Sequence, residues 1–229
     1  DHDKYVKDWR GQYKGQAAAI LKPINTKEVS SILLFAHENN IHVVPQGGNT
    51  SLCGAATPDD SGRSIIISLE KMNNVRQFNK DAQTITVESG MVLSQIHEIV
   101  ENDNLFFPLS LGAQGSCMIG GNLSTNAGGV NVSKYGNTRE LCLGLEVVLP
   151  DGKIMNLLSE LKKDNTGYDL KNIFIGAEGT LGIITAATLK LFQLPKMIST
   201  LFVEADSISN AIKLLNVFNS YFPDRIESF

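Results

Sequence analysis

The chain has 229 residues and a mass of 24.9 kDa, enough to bury a substantial core, so a disulfide-stapled miniprotein is excluded. Hydrophobic residues make up 42% and charged residues 19%, with a mean hydropathy of -0.03, which excludes wholesale disorder, coiled coil and collagen. The 20 Lys and Arg against 24 Asp and Glu leave a net charge of -4 with no basic block, which argues against nucleic acid or anionic lipid as the main partner.

No apolar run approaches the ~18 residues that a membrane span needs. The chain begins Asp1-His2-Asp3-Lys4 without an initiator Met or an apolar signal segment, and it ends at Arg225-Ile226-Glu227-Ser228-Phe229, so either end reads as a cut. Cys53, Cys117 and Cys142 are odd in number and widely spaced. Neither a disulfide framework nor a zinc site is expected from them, and a reducing compartment fits.

Residues 17 to 22 read as a strand, and Pro23-Ile24-Asn25-Thr26 supplies a stop followed by a helix N-cap, with Glu28 placed for a capping box from Asn25. Val29, Ile32, Leu33 and Ala36 repeat at helical spacing, and the helix fades at His37-Glu38-Asn39-Asn40. Ile41 to Pro45 then reads as a short buried strand that delivers the chain into Gln46-Gly47-Gly48-Asn49-Thr50-Ser51. Further strands are expected at Ser64 to Leu69 and Thr84 to Glu88. Val92 to Glu101 forms an amphipathic helix with Leu93, Ile96 and Val100 on one side.

Beyond a glycine-rich stretch at residues 112 to 129, Leu143 to Leu149 and Lys153 to Leu158 flank Pro150-Asp151-Gly152, which is hairpin chemistry. Leu181 to Leu191 carries β-branched residues suited to another strand. After Gln193-Leu194-Pro195-Lys196 the pattern restarts. Ser199 to Glu204 is expected as a strand, and Ser207 to Phe218 as a helix that carries Ile208, Ile212, Leu215 and Phe218 inward. The restart marks the expected domain boundary.

Of the 20 glycines, 12 fall in three short windows: Gly47, Gly48 and Gly54; Gly112, Gly115, Gly120, Gly121, Gly128 and Gly129; and Gly176, Gly179 and Gly182. Glycine lets a ligand approach backbone N–H groups closely, which is how a phosphate is held without cationic side chains. Any one window could be an ordinary tight turn; three together suggest a large phosphorylated ligand. Two common fingerprints fail. No two glycines are separated by a single residue, so a Rossmann Gly-x-Gly-x-x-Gly cannot occur. The one pair with Walker spacing, Gly115 and Gly120, is followed by Gly121 where a Lys is required.

Three segments, Pro45 to Ser51, Gly115 to Gly129 and Gly176 to Thr185, resemble in sequence and order the FAD-binding domain of the vanillyl-alcohol oxidase and p-cresol methylhydroxylase superfamily. The resemblance covers roughly residues 16 to 195. Lys163-Asp164-Asn165-Thr166-Gly167-Tyr168-Asp169-Leu170 and Gln46-Gly47-Gly48-Asn49-Thr50 are most similar to the D-2-hydroxyglutarate dehydrogenase branch of D-2-hydroxy acid dehydrogenases. The resemblance implies an α+β, two-lobed PCMH-type domain at residues 16–195: a small strand-helix-strand lobe plus a larger mixed or antiparallel sheet lobe with helices. Residues 1–15 are then an N-terminal extension. Residues 196–229 are the beginning of a truncated α+β substrate-binding domain.

Carried over position by position, the resemblance places the backbone N–H groups of Gly47, Gly48, Asn49 and Thr50 and the Ser51 hydroxyl, with Pro45 and Gln46 leading in, around the FAD pyrophosphate. A strand ending at Pro45 would present such a loop as an anion nest. The stretch from Pro108 through Gly129 passes under the flavin ring and ribityl chain. Its expected contacts are Pro108, Gly115, Ser116, Ile119, Gly120, Gly121, Ser124, Thr125, Asn126 and Gly128. Glu178, Gly179, Ile183 and Ile184 match the segment near adenine. Relatives that attach FAD covalently through the first loop often carry His after the two glycines. Asn49 stands there, and noncovalent FAD is expected.

Other residues are read blandly. His37 suits a solvated helix C-terminus, His97 could be packed or exposed, and Cys117 is a small filler. Neither His42 nor His97 has an acid at ligand spacing, so no metal site and no catalytic residue is expected in these 229 residues. The resemblance implies an FAD-dependent enzyme that oxidises a D-2-hydroxy acid, foremost D-2-hydroxyglutarate, to the 2-oxo acid by hydride transfer to flavin. This chain supplies the FAD-binding part and is inactive alone. The alternatives are a D-lactate or glycolate dehydrogenase of the same superfamily, or a noncatalytic FAD or nucleotide-binding module. A small hydroxy acid substrate, an electron carrier as acceptor and a homodimer when intact are the implied partners. The implied location is cytoplasmic in a bacterial-type cell, or the mitochondrial matrix in a eukaryote.

Overall fold

A computed structural model describes residues 2–229. In chain order the elements are α1 (Asp3–Val6), β1 (Ala19–Leu21), α2 (Thr26–Glu38), β2 (Val43–Gln46), β3 (Ile65–Ser68), β4 (Val75–Asn79), β5 (Thr84–Glu88) and α3 (Leu93–Glu101). They continue with β6 (Leu105–Phe106), α4 (Ile119–Ser124), α5 (Val132–Tyr135), β7 (Cys142–Val148), β8 (Ile154–Leu157), α6 (Lys171–Phe174), β9 (Ile183–Lys190), β10 (Phe192–Gln193) and α7 (Ile208–Tyr221).

The small lobe is a parallel sheet in the order β1-β3-β2. Its central strand is apolar on both faces, as a covered parallel strand must be. Ile67 packs with Val29 and Leu33 of α2, while Ile66 packs with Tyr5 and Val6 of the N-terminal segment on the other face. The Asn25 side chain caps α2 by accepting from the Glu28 N–H at 2.9 Å. Glu28 in return accepts from the N–H of Ile24, one residue earlier than the expected Asn25.

The large lobe is a five-stranded antiparallel sheet in the order β4-β5-β9-β7-β8. Ile85 and Val87 of β5 meet Leu93, Ile96 and Val100 of α3 and Ile119 and Leu123 of α4 in the main core. The turn from β7 to β8 closes as its Pro-Asp-Gly sequence requires: Gly152 takes φ +81 and Leu149 N donates to Lys153 O at 2.8 Å. The opposite sheet face carries a buried polar network that joins the lobes. Arg76 donates to Glu88 at 3.3 Å, to Glu146 at 2.9 Å and to Thr26 at 3.0 Å. Thr26 and Thr185 in turn donate to Glu146 at 2.6 and 2.8 Å. Glu146 is held below the usual carboxylate range: its burial alone would raise it, but these donors and the Arg76 charge outweigh that.

Strand β4 has no counterpart in the sequence reading, because Val-Arg-Gln-Phe-Asn is a polar edge strand that pairs only with β5. Two expectations at the C-terminal end are corrected. Ser199 to Glu204 forms no strand, since no neighbouring strand pairs with its backbone groups. The α7 helix forms behind its Ser207 cap, but none of its residues is buried, and Ile208 and Ile212 are exposed. All three cysteines are unpaired, Cys53 exposed and the other two buried.

Candidate functional site

The three glycine windows converge on one cavity of about 550 Å³ between the lobes. Of the residues expected from sequence, Pro45, Gln46, Gly47, Gly48, Asn49, Thr50, Ser51, Gly120, Gly121, Ser124, Thr125, Glu178, Gly179, Ile183 and Ile184 line it. The structure places Pro108, Gly115, Ser116, Ile119, Asn126 and Gly128 outside the lining. Ile119 is fully buried in the main core, and Asn126 turns its amide oxygen to the Arg139 N–H at 3.0 Å. A second hollow of about 290 Å³ shares Pro45, Gly179, Gly182 and Ile183 with the first and adjoins it.

Each window is fastened by long-range hydrogen bonds. The first leaves β2 at Gln46, whose buried amide donates to Tyr5 O and Ala56 O, both at 2.8 Å. The second enters through Gly120, whose N–H donates to Ser89 O at 2.9 Å, and supplies Cys117 O and Gln114 O as acceptors for the first turn of α3. In the third, Gly176 N and Glu178 N donate to Leu123 O and Ser124 O at 3.1 and 2.9 Å, satisfying the last carbonyls of α4. The Arg139 guanidinium donates to Asn172 O and Ile175 O, both at 2.7 Å, and so pins the third window to the segment that follows the second.

Every window also contains one non-glycine residue in the left-handed region: Asn49 (φ 51), Asn126 (φ 46) and Glu178 (φ 51). Such a conformation costs on the order of 1 kcal/mol; Asn40, Gln83, Asn104 and Asp224 hold it outside the windows.

The lining chemistry suits a dinucleotide bound through backbone groups. No Lys, Arg or His lines the cavity, and Glu178 is its only charged side chain among the described residues. The glycines divide into two kinds. At Gly48 an added Cβ would lie 2.1 Å from Ser116 O, and at Gly120 it would lie 2.6 Å from Ser89 Cβ. At Gly121 it would meet nothing within 4 Å, and at Gly47 nothing nearer than 3.5 Å. The first kind lets the second window close on the first at Gly48 and on the turn after β5 at Gly120; the second leaves a cradle that a side chain would fill. That cradle, the N–H groups and hydroxyls of residues 47–51, and the apolar wall of Ile183 and Ile184 fit an FAD molecule.

Sequence reasoning passed over several lining residues, among them Leu111, Ala113, Met118 and Asn122. Asn122 is only 6% exposed, and its Oδ1 is buried without a hydrogen-bond partner. Its position directly after Gly120-Gly121 was the available signal. Burial pushes the neighbouring Cys117 thiol up, so Cys117 is an uncharged filler of the wall. His97 stays off the cavity, its Nε2 3.0 Å from Leu109 O, and burial pushes its pKa down from 6.5.

Known proteins share this arrangement. Residues 17–158 match the FAD binding domain family. The bovine (Bos taurus) mitochondrial D-2-hydroxyglutarate dehydrogenase is 41% identical over 222 residues, which span 97% of this chain and 40% of that protein. A D-2-hydroxyglutarate–pyruvate transhydrogenase of Saccharomyces cerevisiae is 40% identical over 98% of this chain and 45% of its own. Among solved structures, an alkyldihydroxyacetonephosphate synthase superposes with a TM-score of 0.73 at 25% identity, covering 85% of this chain and 36% of that one. The chain spans about two fifths of the length of the curated relatives it matches.

Proposed function

The chain belongs to the FAD binding domain family, and from that premise we propose that it is the cofactor-binding part of a dehydrogenase that oxidises a D-2-hydroxy acid, D-2-hydroxyglutarate foremost, to the 2-oxo acid. The observation that carries the substrate class is the 41% identity to a D-2-hydroxyglutarate dehydrogenase across 97% of the chain. Bound FAD would supply the acceptor of a hydride equivalent from the carbinol carbon.

This chain's residues bind and orient. The loop from Gly47 to Ser51 holds the pyrophosphate through N–H groups and hydroxyls, with no cation in the lining to assist. Glu178, an acceptor that would repel the pyrophosphate, faces sugar hydroxyls instead. Ile183 and Ile184 exclude water from the wall beside the adenine end. Asn122 Oδ1 accepts from a donor of the cofactor. FAD is held noncovalently: the residue after Gly47-Gly48 is Asn49, whose amide is occupied in hydrogen bonds to Lys4 O and Lys7 O.

With no His, Lys or Arg in the lining, and Glu178 placed at the sugar hydroxyls, neither a base for the hydroxyl proton nor a clamp for the substrate carboxylate comes from the cavity. Those groups belong to the part of the protein that corresponds to the relatives' remaining length. Residues 196–229 are the first elements of that substrate-binding domain. An electron carrier reoxidises the flavin.

Anaerobic titration of the intact flavoprotein with a panel of D-2-hydroxy acids tests the reading. D-2-hydroxyglutarate is expected to bleach the oxidised-flavin absorption at the lowest concentration, while the 229 residues alone, loaded with FAD, should not be bleached. Preferential bleaching by D-lactate or glycolate would move the assignment within the superfamily. No bleaching of the intact protein by any hydroxy acid would overturn it.

A further inference from the structure

Residues 2–16 lie ahead of the segment that matches the FAD binding domain family, yet the cofactor loop is built against them. The segment folds as a hairpin. Lys7 and Lys14 bridge, Asp8 N donates to Tyr13 O at 3.0 Å, and the buried Asp8 carboxylate accepts from Tyr13 N at 2.7 Å and Arg10 N at 3.2 Å. Tyr5 and Val6 anchor it on the open face of the parallel sheet at Ile66.

From there the hairpin reaches the first glycine window at two levels. Below, Tyr5 O accepts from the buried Gln46 amide at 2.8 Å. Above, the Asn49 side chain donates to Lys4 O at 3.1 Å and to Lys7 O at 2.8 Å, bonds that cross more than 40 residues of sequence. Past the loop the two segments interlock closely at two glycines. A Cβ at Gly15 would lie 1.9 Å from Pro58 O, and one at Gly54 would lie 2.6 Å from the Tyr13 ring.

Asn49 holds φ 51, a conformation its own side chain does little to favour locally, since both of its hydrogen bonds go to the hairpin. A left-handed residue at this point turns successive N–H groups to one side, which is the form of an anion nest. We propose that residues 2–16 are a strap that holds the Gly47–Ser51 loop in its anion-binding conformation, with Asn49 as the positioning residue that fastens it. The strap rests on the assignment of FAD to this cavity. It gives Asn49 a role beyond the backbone N–H that the family resemblance implies: its side chain points away from the cofactor and acts through the loop.

The strap makes FAD and the N-terminal hairpin a thermodynamically coupled pair, since a loop ordered by one is ordered for the other. Asn49→Gly separates the two demands on this residue. Glycine accepts positive φ freely but carries no amide, so a purely conformational role predicts a neutral or tighter-binding variant.

The experiment uses the intact protein and its Asn49→Gly variant, with FAD itself as the probe. FAD affinity is read from quenching of flavin fluorescence, and trypsin cleavage after Lys7, Arg10 and Lys14 is followed with and without FAD. The strap predicts an FAD Kd raised about tenfold in Asn49→Gly, the loss of two hydrogen bonds. It also predicts FAD-dependent protection of the hairpin in the native protein, its loss in the variant, and faster cleavage of the FAD-free variant. Unchanged or tighter FAD binding by Asn49→Gly, or cleavage identical in the two proteins, would overturn it. Should the native protein bind no FAD, the assignment of the cavity fails. The FAD-free cleavage rates then still decide whether Asn49 fastens the hairpin.

Discussion

Ile96 on α3 and Ile212 on α7 sit on helices read from the same apolar spacing, and both helices form. Ile96 is 0% exposed in the main core, whereas Ile212 is 55% exposed. The same contrast runs through the two regions they belong to. Residues 19 to 193 close three sheets, the third the short β10-β6 pair, over buried cores. Residues 197 to 229 carry Met197, Ile198, Leu201, Phe202, Ile208 and Tyr221 to solvent. Spacing along one helix specifies which side is apolar. What meets that side depends on groups distant in sequence, and within these residues only the first region has them.

Matched truncations break or sharpen this contrast, and they give the largest expected effect. Ile96→Ala should cost about 2–5 kcal/mol in urea unfolding, the range for a buried aliphatic side chain. Ile212→Ala in the same protein should stay within about 0.5 kcal/mol, as for an exposed position. Comparable losses at both positions would show that α7 is packed in solution.

A second pair of substitutions divides the cofactor region itself. Gly48→Ala forces a methyl group to within 2.1 Å of Ser116 O and should destabilise the FAD-free protein by about 1–3 kcal/mol. Gly121→Ala has open space and lies in α4, where alanine is the better helix former by about 1 kcal/mol, so the FAD-free protein should melt no lower. Its methyl group projects into the cradle, and FAD affinity should fall by at least tenfold in the same fluorescence titration. A Gly121→Ala protein that binds FAD normally would remove the cradle from the cofactor site.

The difference between those two glycines also marks what could be read in advance. Clustering of glycines located the cavity, and the strand-helix-strand start, the Pro-Asp-Gly hairpin and α3 followed from local chemistry, because turns, caps and apolar spacing are properties of neighbouring residues. Which glycine touches backbone and which leaves room is a property of segments about 70 residues apart, Gly48 against Ser116 and Gly47 against Gly121. The same holds for Asn49 and for Asn126. Both were expected as cofactor contacts; Asn49 lines the cavity while its side chain bonds Lys4 and Lys7, and Asn126 lies off the lining with its side chain on Arg139. Strand β4 escaped because its polar residues follow no apolar alternation, and Ser199 to Glu204 misled because a β-rich run needs a partner strand to become one.

The smallest expected effect lies at the joint between the regions. Glu227, near the end of the C-terminal segment, accepts from Lys134 Nζ and from the Tyr135 hydroxyl, both at 3.3 Å. Tyr135 in turn packs edge-on against Phe106 and Phe192. Burial alone would lower the Lys134 pKa, but Tyr135 and Glu227 outweigh it and hold the group above 10.5. A raised cation pKa contributes stability that is complete below the unfolded value near 10.5 and is lost as pH rises through the folded value. The pair is partly exposed, so Glu227→Gln should cost no more than about 1 kcal/mol at neutral pH. The difference from the native protein should shrink in about 1 M salt, where screening lengths fall to about 3 Å, and again above the Lys134 pKa. A larger loss, insensitive to both, would mean that the C-terminal segment is held by apolar contact, and the contrast between Ile96 and Ile212 would have to narrow accordingly.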